Sequence, residues 1–128
     1  MKHSPRGFAR TERVGSQICR EASEIIHTQL KDPQMNMLMR LLTLTTVRVT
    51  RDYSHARIYY TVLGSQADIE AVSGALEQIK GWLRSQLAKR IRLRRIPELG
   101  FVYDESIEQG RRLTRLIDEA IGKSSPDS

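Results

Sequence analysis

The residues with the clearest capacity for chemistry are seven basic side chains within residues 80–95, a stretch that contains no acidic residue. The rest of the chain has 14 basic and 15 acidic residues, so this stretch holds the whole excess of the +6 net charge. Arginine predominates among the chain's basic residues, and its planar guanidinium pairs well with phosphate oxygens. The pattern predicts a polyanion-binding surface, whereas a solvated helix face, the alternative, usually mixes both signs of charge. The seven residues are Lys80, Arg84, Lys89, Arg90, Arg92, Arg94 and Arg95.

Residue types that carry catalysis or bind metals do not form a recognisable constellation. His3, His27 and His55 lack metal-ligand spacing, and the single cysteine, Cys19, excludes an intrachain disulfide. No glycine-rich phosphate loop or nucleophile elbow is present. We therefore expect no enzymatic activity, no cofactor and no metal. Trp82 could stack on a base, but core packing is the favoured interpretation.

Composition indicates one folded domain. Leu, Ile, Val and Phe make up a quarter of the 128 residues, enough for a core. No apolar run approaches the length that spans a bilayer, and no secretory signal is visible. We expect a soluble, cytoplasmic chain with a flexible arm at 1–9, a domain at 10–122 and a disordered tail at 123–128.

The first half of the chain predicts a helix followed by a β-hairpin. An apolar stripe begins near Thr11, and the helix should end before Pro33. Met-rich residues 34–42 suggest a strand entry or an apolar loop on the core, with a contact patch for a partner as the sharper alternative. Strands at 44–51 and 56–62 follow, with a β-bulge near Thr45 and Thr46.

The second half predicts two helices that meet at Gly81. Ser65 caps the first of them, and Gly81 marks a bend because glycine is a poor helix former. The second helix would present Arg84, Arg92 and Arg95 on one face. A third strand at 99–103 and a last helix capped by Asp104 or Ser106 complete an α+β domain with a small three-stranded sheet.

Residues 81–106 resemble the signature of the ribosome-binding factor A family. The pattern consists of Gly81-Trp82-Leu83-Arg84, Leu87-Ala88, Ile91, Leu93-Arg94, Pro97-Glu98-Leu99, Phe101, Asp104 and Ser106. Supporting matches are Arg10, Arg13-Val14, Lys31-Asp32-Pro33, Thr50-Arg51-Asp52 and Ala56-Arg57-Ile58-Tyr59. The resemblance covers roughly residues 8–121.

This resemblance implies a type II KH-like fold with a helix–kink–helix at Ile79, Lys80 and Gly81 and an extra C-terminal helix. Family members carry alanine where this chain has Ile79. The resemblance further implies a monomeric cytoplasmic factor that binds the free 30S subunit and 16S rRNA. It would assist late maturation, including 5′-end processing, and support growth in the cold, without a small-molecule substrate, a cofactor or a membrane partner.

The site residues expected to bind RNA are Lys80, Arg84, Lys89, Arg92 and Arg95, with Arg10, Arg13, Arg51 and Arg111 as weaker candidates on neighbouring surfaces. Reversing the charge at Arg84 and Arg92 together should weaken 30S association and leave thermal stability nearly unchanged. The rival hypothesis is a protein-interaction module, or a DNA-binding regulator whose basic helix enters the major groove.

Overall fold

The computed structural model describes residues 6–106, with side chains from Arg10 onward. The elements within this range are α1 (Arg6–Gln29), α2 (Pro33–Met39), β1 (Leu42–Val49), β2 (His55–Val62), α3 (Gln66–Arg90) and β3 (Glu98–Tyr103). The predicted last helix beyond Ser106, the tail at 123–128 and Arg111 lie outside the described residues. None of the described helices combines the length and hydropathy needed to cross a bilayer.

The three strands form one sheet in the order β1-β2-β3. β1 and β2 are antiparallel, which confirms the hairpin, and the register shifts between Leu44 and Thr46, which confirms the bulge. β3 pairs in parallel with β2, a connection that α3 makes possible by returning the chain to the other end of the sheet. The bulge also lets the Thr45 hydroxyl donate to the Asp104 carboxylate at 2.8 Å.

One face of the sheet is buried beneath α1 and α3. Alternate strand residues point inward, as the burial pattern of β2 shows, and Ile58 is completely buried. The predicted stripe of α1 is confirmed as core. Its buried members are Val14, Ile18, Ala22, Ile25 and Ile26. Burying a side chain such as Ile58 contributes about 1.5–3 kcal/mol, so this face accounts for much of the fold's stability.

Helix α1 runs closely across β1, in the opposite direction. A Cβ built on Gly15 would lie 2.4 Å from the carbonyl oxygen of Val47, so only glycine permits this approach. The helix begins at Arg6 rather than at Thr11, and its first turn falls within the segment expected to be an arm. At its other end, His27 Nε2 lies within hydrogen-bond distance of the Met39 and Leu42 carbonyls, before and after the turn into β1.

Helix α3 is continuous across Gly81, so the expectation of two helices meeting there is wrong. Its 25 residues extend about 38 Å. The reason is that the buried residues on both sides of Gly81 belong to one stripe, so the same core holds both halves. These residues are Val72, Ala75, Leu76, Ile79, Leu83 and Leu87. Gly81 itself is exposed, with nothing within 4 Å of a built Cβ. The predicted cap at Ser65 is confirmed, and it forms a capping box with Asp68.

The Met-rich segment forms a short helix, which corrects the expectation of a strand entry or loop. Asp32 is its N-cap and accepts a hydrogen bond from the Gln34 N–H at 3.0 Å, and Pro33 occupies the first helical position. Met39 is buried, whereas Met37 is 68% exposed. Only part of the segment is therefore accessible to a partner.

Two glycine substitutions should have opposite effects on stability. Gly15→Ala forces a methyl group against a backbone oxygen and should lower the unfolding free energy by about 1–3 kcal/mol. Gly81→Ala adds a better helix former at an open position and should raise it by about 0.5–1 kcal/mol. Thermal denaturation followed by circular dichroism checks both, and a destabilised Gly81→Ala variant would contradict the continuous helix.

Candidate nucleic-acid interface

The basic run spans two different structures. Helix α3 ends at Arg90, and residues 91–97, here called the arginine segment, connect it to β3 without regular secondary structure. Arg92 and Arg95 lie on this segment and not on the helix, so the expectation that they share a helix face with Arg84 is wrong. The hydrophobic stripe that suggested a longer helix ends with Ile91, which is buried just past the last helical residue.

The arginine segment is held by buried apolar anchors at both ends. Ile91 is 4% exposed, Ile96 is 7% exposed and Pro97 is fully buried. Between these anchors, Arg92 and Arg95 are exposed. The chain thus alternates between core and solvent, and this alternation turns the guanidinium groups outward.

Arg84 positions this segment from the neighbouring helix. Its Nε donates to the Pro97 carbonyl at 3.1 Å and its Nη2 donates to the Ile96 carbonyl at 2.7 Å. Hydrogen bonds from a charged group contribute about 1.5–3 kcal/mol, and the side chain is half-buried. The expectation that charge reversal spares stability therefore does not extend to Arg84.

Two other basic residues of the run are engaged by carboxylates. Lys80 Nζ lies 2.8 Å from Glu77 Oε1. Arg90 donates to Glu21 at 3.1 Å and also to Glu24, and these hydrogen bonds raise the pKa of the Arg90 guanidinium. Both residues are therefore less available to an anionic ligand.

Apart from Arg84, the cations of the run that lack a carboxylate partner among residues 10–106 lie next to one another. They are Lys89 at the end of α3 and Arg92, Arg94 and Arg95 on the arginine segment, and all four are exposed. Sequence reasoning counted Arg94 in the basic run but did not name it among the RNA-binding site residues. Because α3 ends at Arg90, Arg94 lies on the exposed arginine segment and not at the apolar edge of a helix.

The weaker candidates within the described residues, Arg10, Arg13 and Arg51, lie toward the same end of the sheet. Gly15 contacts Val47, so Arg10 and Arg13 extend beyond it in the direction of the β1–β2 turn, where Arg51 lies. The backbone N–H of Glu98 donates to Ser54 of that turn at 2.9 Å, which brings the arginine segment to this end as well. Arg10, Arg13 and Arg51 are exposed.

Among the described residues, acidic side chains predominate at the opposite end. Asp68 and Glu70 lie in the first turns of α3, and Asp104 and Glu105 directly follow β3. The two ends of the described part of the chain therefore differ in charge. An anionic ligand is attracted to the end that carries the arginine segment.

The β1–β2 turn is organised by one carboxylate. Asp52 accepts hydrogen bonds from the Ser54 hydroxyl at 2.7 Å, the Ser54 N–H at 3.1 Å and the Thr50 hydroxyl at 2.8 Å. Because these donors favour the ionised form, they lower the pKa of Asp52 to about 2. Tyr53 adopts φ 63°, an uncommon conformation for a residue other than glycine.

Sequence reasoning missed Arg48 as a candidate and gave Arg57 no binding role. The two residues face each other across β1 and β2, and both are exposed. The register of the predicted hairpin, shifted by one residue at the bulge, places position 48 opposite position 57 and could have predicted this pair.

The described residues contain no cluster of potential metal ligands, and one serine lies close to a histidine in the β1–β2 turn. No group of three potential metal ligands occurs among residues 6–106. The Ser54 hydroxyl lies 2.9 Å from His55 Nδ1, but the opposite ring nitrogen is 3.8 Å from Glu98, too far for a hydrogen bond. This exposed turn therefore lacks the geometry of a nucleophile with an oriented base.

Comparison with known proteins identifies the family. The family model described as "Ribosome-binding factor A" matches residues 10–117. The protein of that name from Nitrosomonas europaea is 51% identical over 119 residues, which cover 93% of this chain and 98% of that protein. The chain belongs to the ribosome-binding factor A family. The protein of the same name from Neisseria meningitidis serogroup A is 50% identical over 119 residues, 93% of each chain.

Solved structures of ribosome-binding factor A show the same fold. The crystal structure from Thermus thermophilus matches with a TM-score of 0.62 and 28% identity, over 75% of this chain and 97% of that chain. A homology model of the Thermus thermophilus protein, fitted into the cryo-EM map of its 30S complex, matches with a TM-score of 0.58 and 30% identity, over 74% and 96% of the two chains. The expected α+β, KH-like fold class is thereby confirmed.

Removal of the Arg84 side chain should destabilise the protein, whereas removal of Arg92 should not. Arg84→Ala leaves two backbone carbonyls without their charged donor and should cost about 2 kcal/mol. Arg92→Ala changes an exposed position and should alter stability by less than about 0.5 kcal/mol. Urea denaturation measures both, and equal midpoints for the two variants would refute the positioning role of Arg84.

The Asp52 carboxylate should make stability depend on acidic pH. Its pKa is lower in the folded chain than the ordinary 3.8, so its contribution is present above pH 3.8 and is lost as the pH falls to about 2. Asp52→Asn removes this titration, so its thermal midpoint should fall less steeply over that range. An identical pH profile for the variant and the parent protein would contradict the hydrogen-bonding assignment.

Proposed function

We propose that this chain is a non-enzymatic assembly factor that binds the free 30S subunit through 16S rRNA. It assists late maturation of the subunit, including processing of the 16S 5′ end, and it supports growth in the cold. It acts as a cytoplasmic monomer. Family membership supports the ribosomal partner, and the 30S complex of the Thermus thermophilus homologue supports the choice of subunit.

The arginine segment is the observation that carries this proposal. Arg92, Arg94 and Arg95 are exposed, have no carboxylate partner among the described residues and are fixed by buried anchors on either side. The planar guanidinium fork is itself rigid, so it forms bidentate hydrogen bonds to phosphate with less entropy lost per bond. Lys89 at the end of α3 extends the same surface.

Contacts of this kind recognise the shape of folded RNA more than its base sequence. Phosphates on the arginine segment would hold a region of 16S rRNA in an immature arrangement until its neighbours fold. Arg10, Arg13 and Arg51 would contact flanking phosphates at the same end of the sheet, and Lys80 and Arg84 would act mainly through the protein's own structure.

The end of α3 at Arg90 argues against the DNA-binding alternative. A basic helix that reads the major groove needs its cations on the helix itself. Here Arg92, Arg94 and Arg95 follow the helix on an irregular segment. This arrangement favours phosphate contacts with a folded RNA over helix insertion into DNA.

Charge reversal on the arginine segment should abolish most 30S binding without unfolding the protein. Arg92→Glu with Arg95→Glu removes two phosphate contacts, so affinity should fall at least about tenfold and the salt dependence should weaken by about two counterions. Cosedimentation with purified 30S subunits at several salt concentrations measures both effects.

Lys31→Glu with Arg40→Glu is the matched control, since it makes the same charge change at exposed positions near α2. Normal 30S binding by the Arg92/Arg95 variant, or equal loss in both variants, would overturn the proposed interface. A DNA shift with sequence preference and no 30S association would favour the rival hypothesis.

A further inference from the structure

The face of the sheet that points away from α1 and α3 carries an unusual set of side chains. The strand register places two rows across it, and we call these six residues the sheet platform. One row contains Arg48, Arg57 and Gly100, and the next contains Thr46, Tyr59 and Val102. Tyr60, on the other face of β2, makes ring contacts with Phe101 and Tyr103, which confirms that these two point toward the core.

The first row concentrates positive charge. Arg48 and Arg57 are direct cross-strand neighbours, both are exposed, and neither has a carboxylate partner among residues 10–106. Like charges in this arrangement destabilise a sheet. Glu98 lies one row further along the same face, but its carboxylate is directed toward His55 at 3.8 Å. An anion between the two guanidinium groups would relieve their repulsion.

The second row provides an aromatic surface beside that charge. Tyr59 is half-buried and makes no ring contact with another described aromatic residue. Its neighbour Val102 is 37% exposed. Gly100, next to Arg57, has no side chain, and a Cβ built there would meet nothing within 4 Å. The rows lie about 7 Å apart along the strands, close enough for one nucleotide to contact both.

We propose that the sheet platform binds single-stranded RNA, with phosphates on Arg48 and Arg57 and an unpaired base stacked on Tyr59. Base stacking on an aromatic side chain combined with backbone contacts from basic residues is how many proteins hold single strands. A duplex keeps its base faces stacked inside the helix and cannot use Tyr59. The inference rests on the proposed function, because RNA is the partner in both, but it uses a surface separate from the arginine segment.

The first test separates stacking from packing at Tyr59. Fluorescence anisotropy measures binding of the full chain to a labelled single-stranded oligouridylate. An oligonucleotide of about ten nucleotides falls within the known site sizes of single-strand-binding proteins. Tyr59→Leu keeps an apolar side chain but removes the ring, and should weaken binding roughly tenfold. Tyr59→Phe keeps the ring and should bind as the parent does. Equal affinity of the Leu and Phe variants would overturn the proposal.

The second test uses the opposed arginines. Arg57→Thr removes one of two facing like charges and inserts a good strand former, so the thermal midpoint should rise while oligouridylate affinity falls several-fold. Arg40→Thr makes the same charge change at an exposed position outside the sheet and should leave affinity within about twofold. If Arg57→Thr binds as tightly as Arg40→Thr, the sheet platform is not an RNA site.

These outcomes distinguish the two proposals. In one outcome, the Tyr59→Leu and Arg57→Thr variants bind oligouridylate as the parent does, and 30S binding still needs Arg92 and Arg95. This outcome would refute RNA binding by the sheet platform and leave the proposed function intact. Loss of oligouridylate binding in those variants, together with no 30S association by the parent chain, would support the platform and remove the ribosomal assignment.

Discussion

Burial of only one face of a three-stranded sheet is the constraint on which the rest of this structure depends. The apolar stripes of α1 and α3 both need to be covered, and the inner face of the sheet covers both of them. Ile18, Ile58 and Leu83 are fully buried as a result. Because the other face stays open, charged residues on β1 and β2 can face solvent at no desolvation cost. The same arrangement forces the chain after α3 to turn back toward β3 at the end where the β1–β2 turn lies.

That return of the chain creates the candidate interface. If α3 continued as a helix to residue 95, the arginines of its last turns would point in different directions around the helix axis. Instead, Ile91 and Ile96 insert into the core, and Arg84 bonds the carbonyls at the end of the segment. Charge density at this end is therefore a consequence of core packing. One arginine of the basic run stabilises the loop, and those on the arginine segment face outward.

Elements with strong local signals could be predicted from the sequence. The α1 stripe, the Ser65 cap and the bulge near Thr45 each follow from the spacing of a few neighbouring residues, and all three are confirmed. The helix at α2 also had a readable signal in Asp32 followed by Pro33, which is an N-cap followed by a favoured first residue. The methionines of residues 34–42 instead favoured the interpretation of this segment as an apolar loop.

The errors concern features that distant residues decide. Gly81 has a local preference for a break, but Ile79 and Leu83 on either side pack into the same core, and that packing outweighs a cost of about 1 kcal/mol. A helix that presents Arg92 and Arg95 would extend past the observed end of α3 at Arg90; this error arises because Ile91 continues the helical periodicity although it already belongs to the arginine segment. The role of Arg84 depends on carbonyls more than ten residues away, which no spacing rule reveals.

Lysine protection on the 30S subunit tests the central claim most directly. Lys31 and Lys89 are both exposed and lie in different regions of the chain, near α2 and beside the arginine segment. Acetylation of the protein, free and bound to purified 30S subunits, is followed at each lysine by mass spectrometry. The account predicts that binding protects Lys89 and leaves Lys31 reactive. Protection of Lys31 with Lys89 still reactive would show that the opposite end of the molecule meets the ribosome.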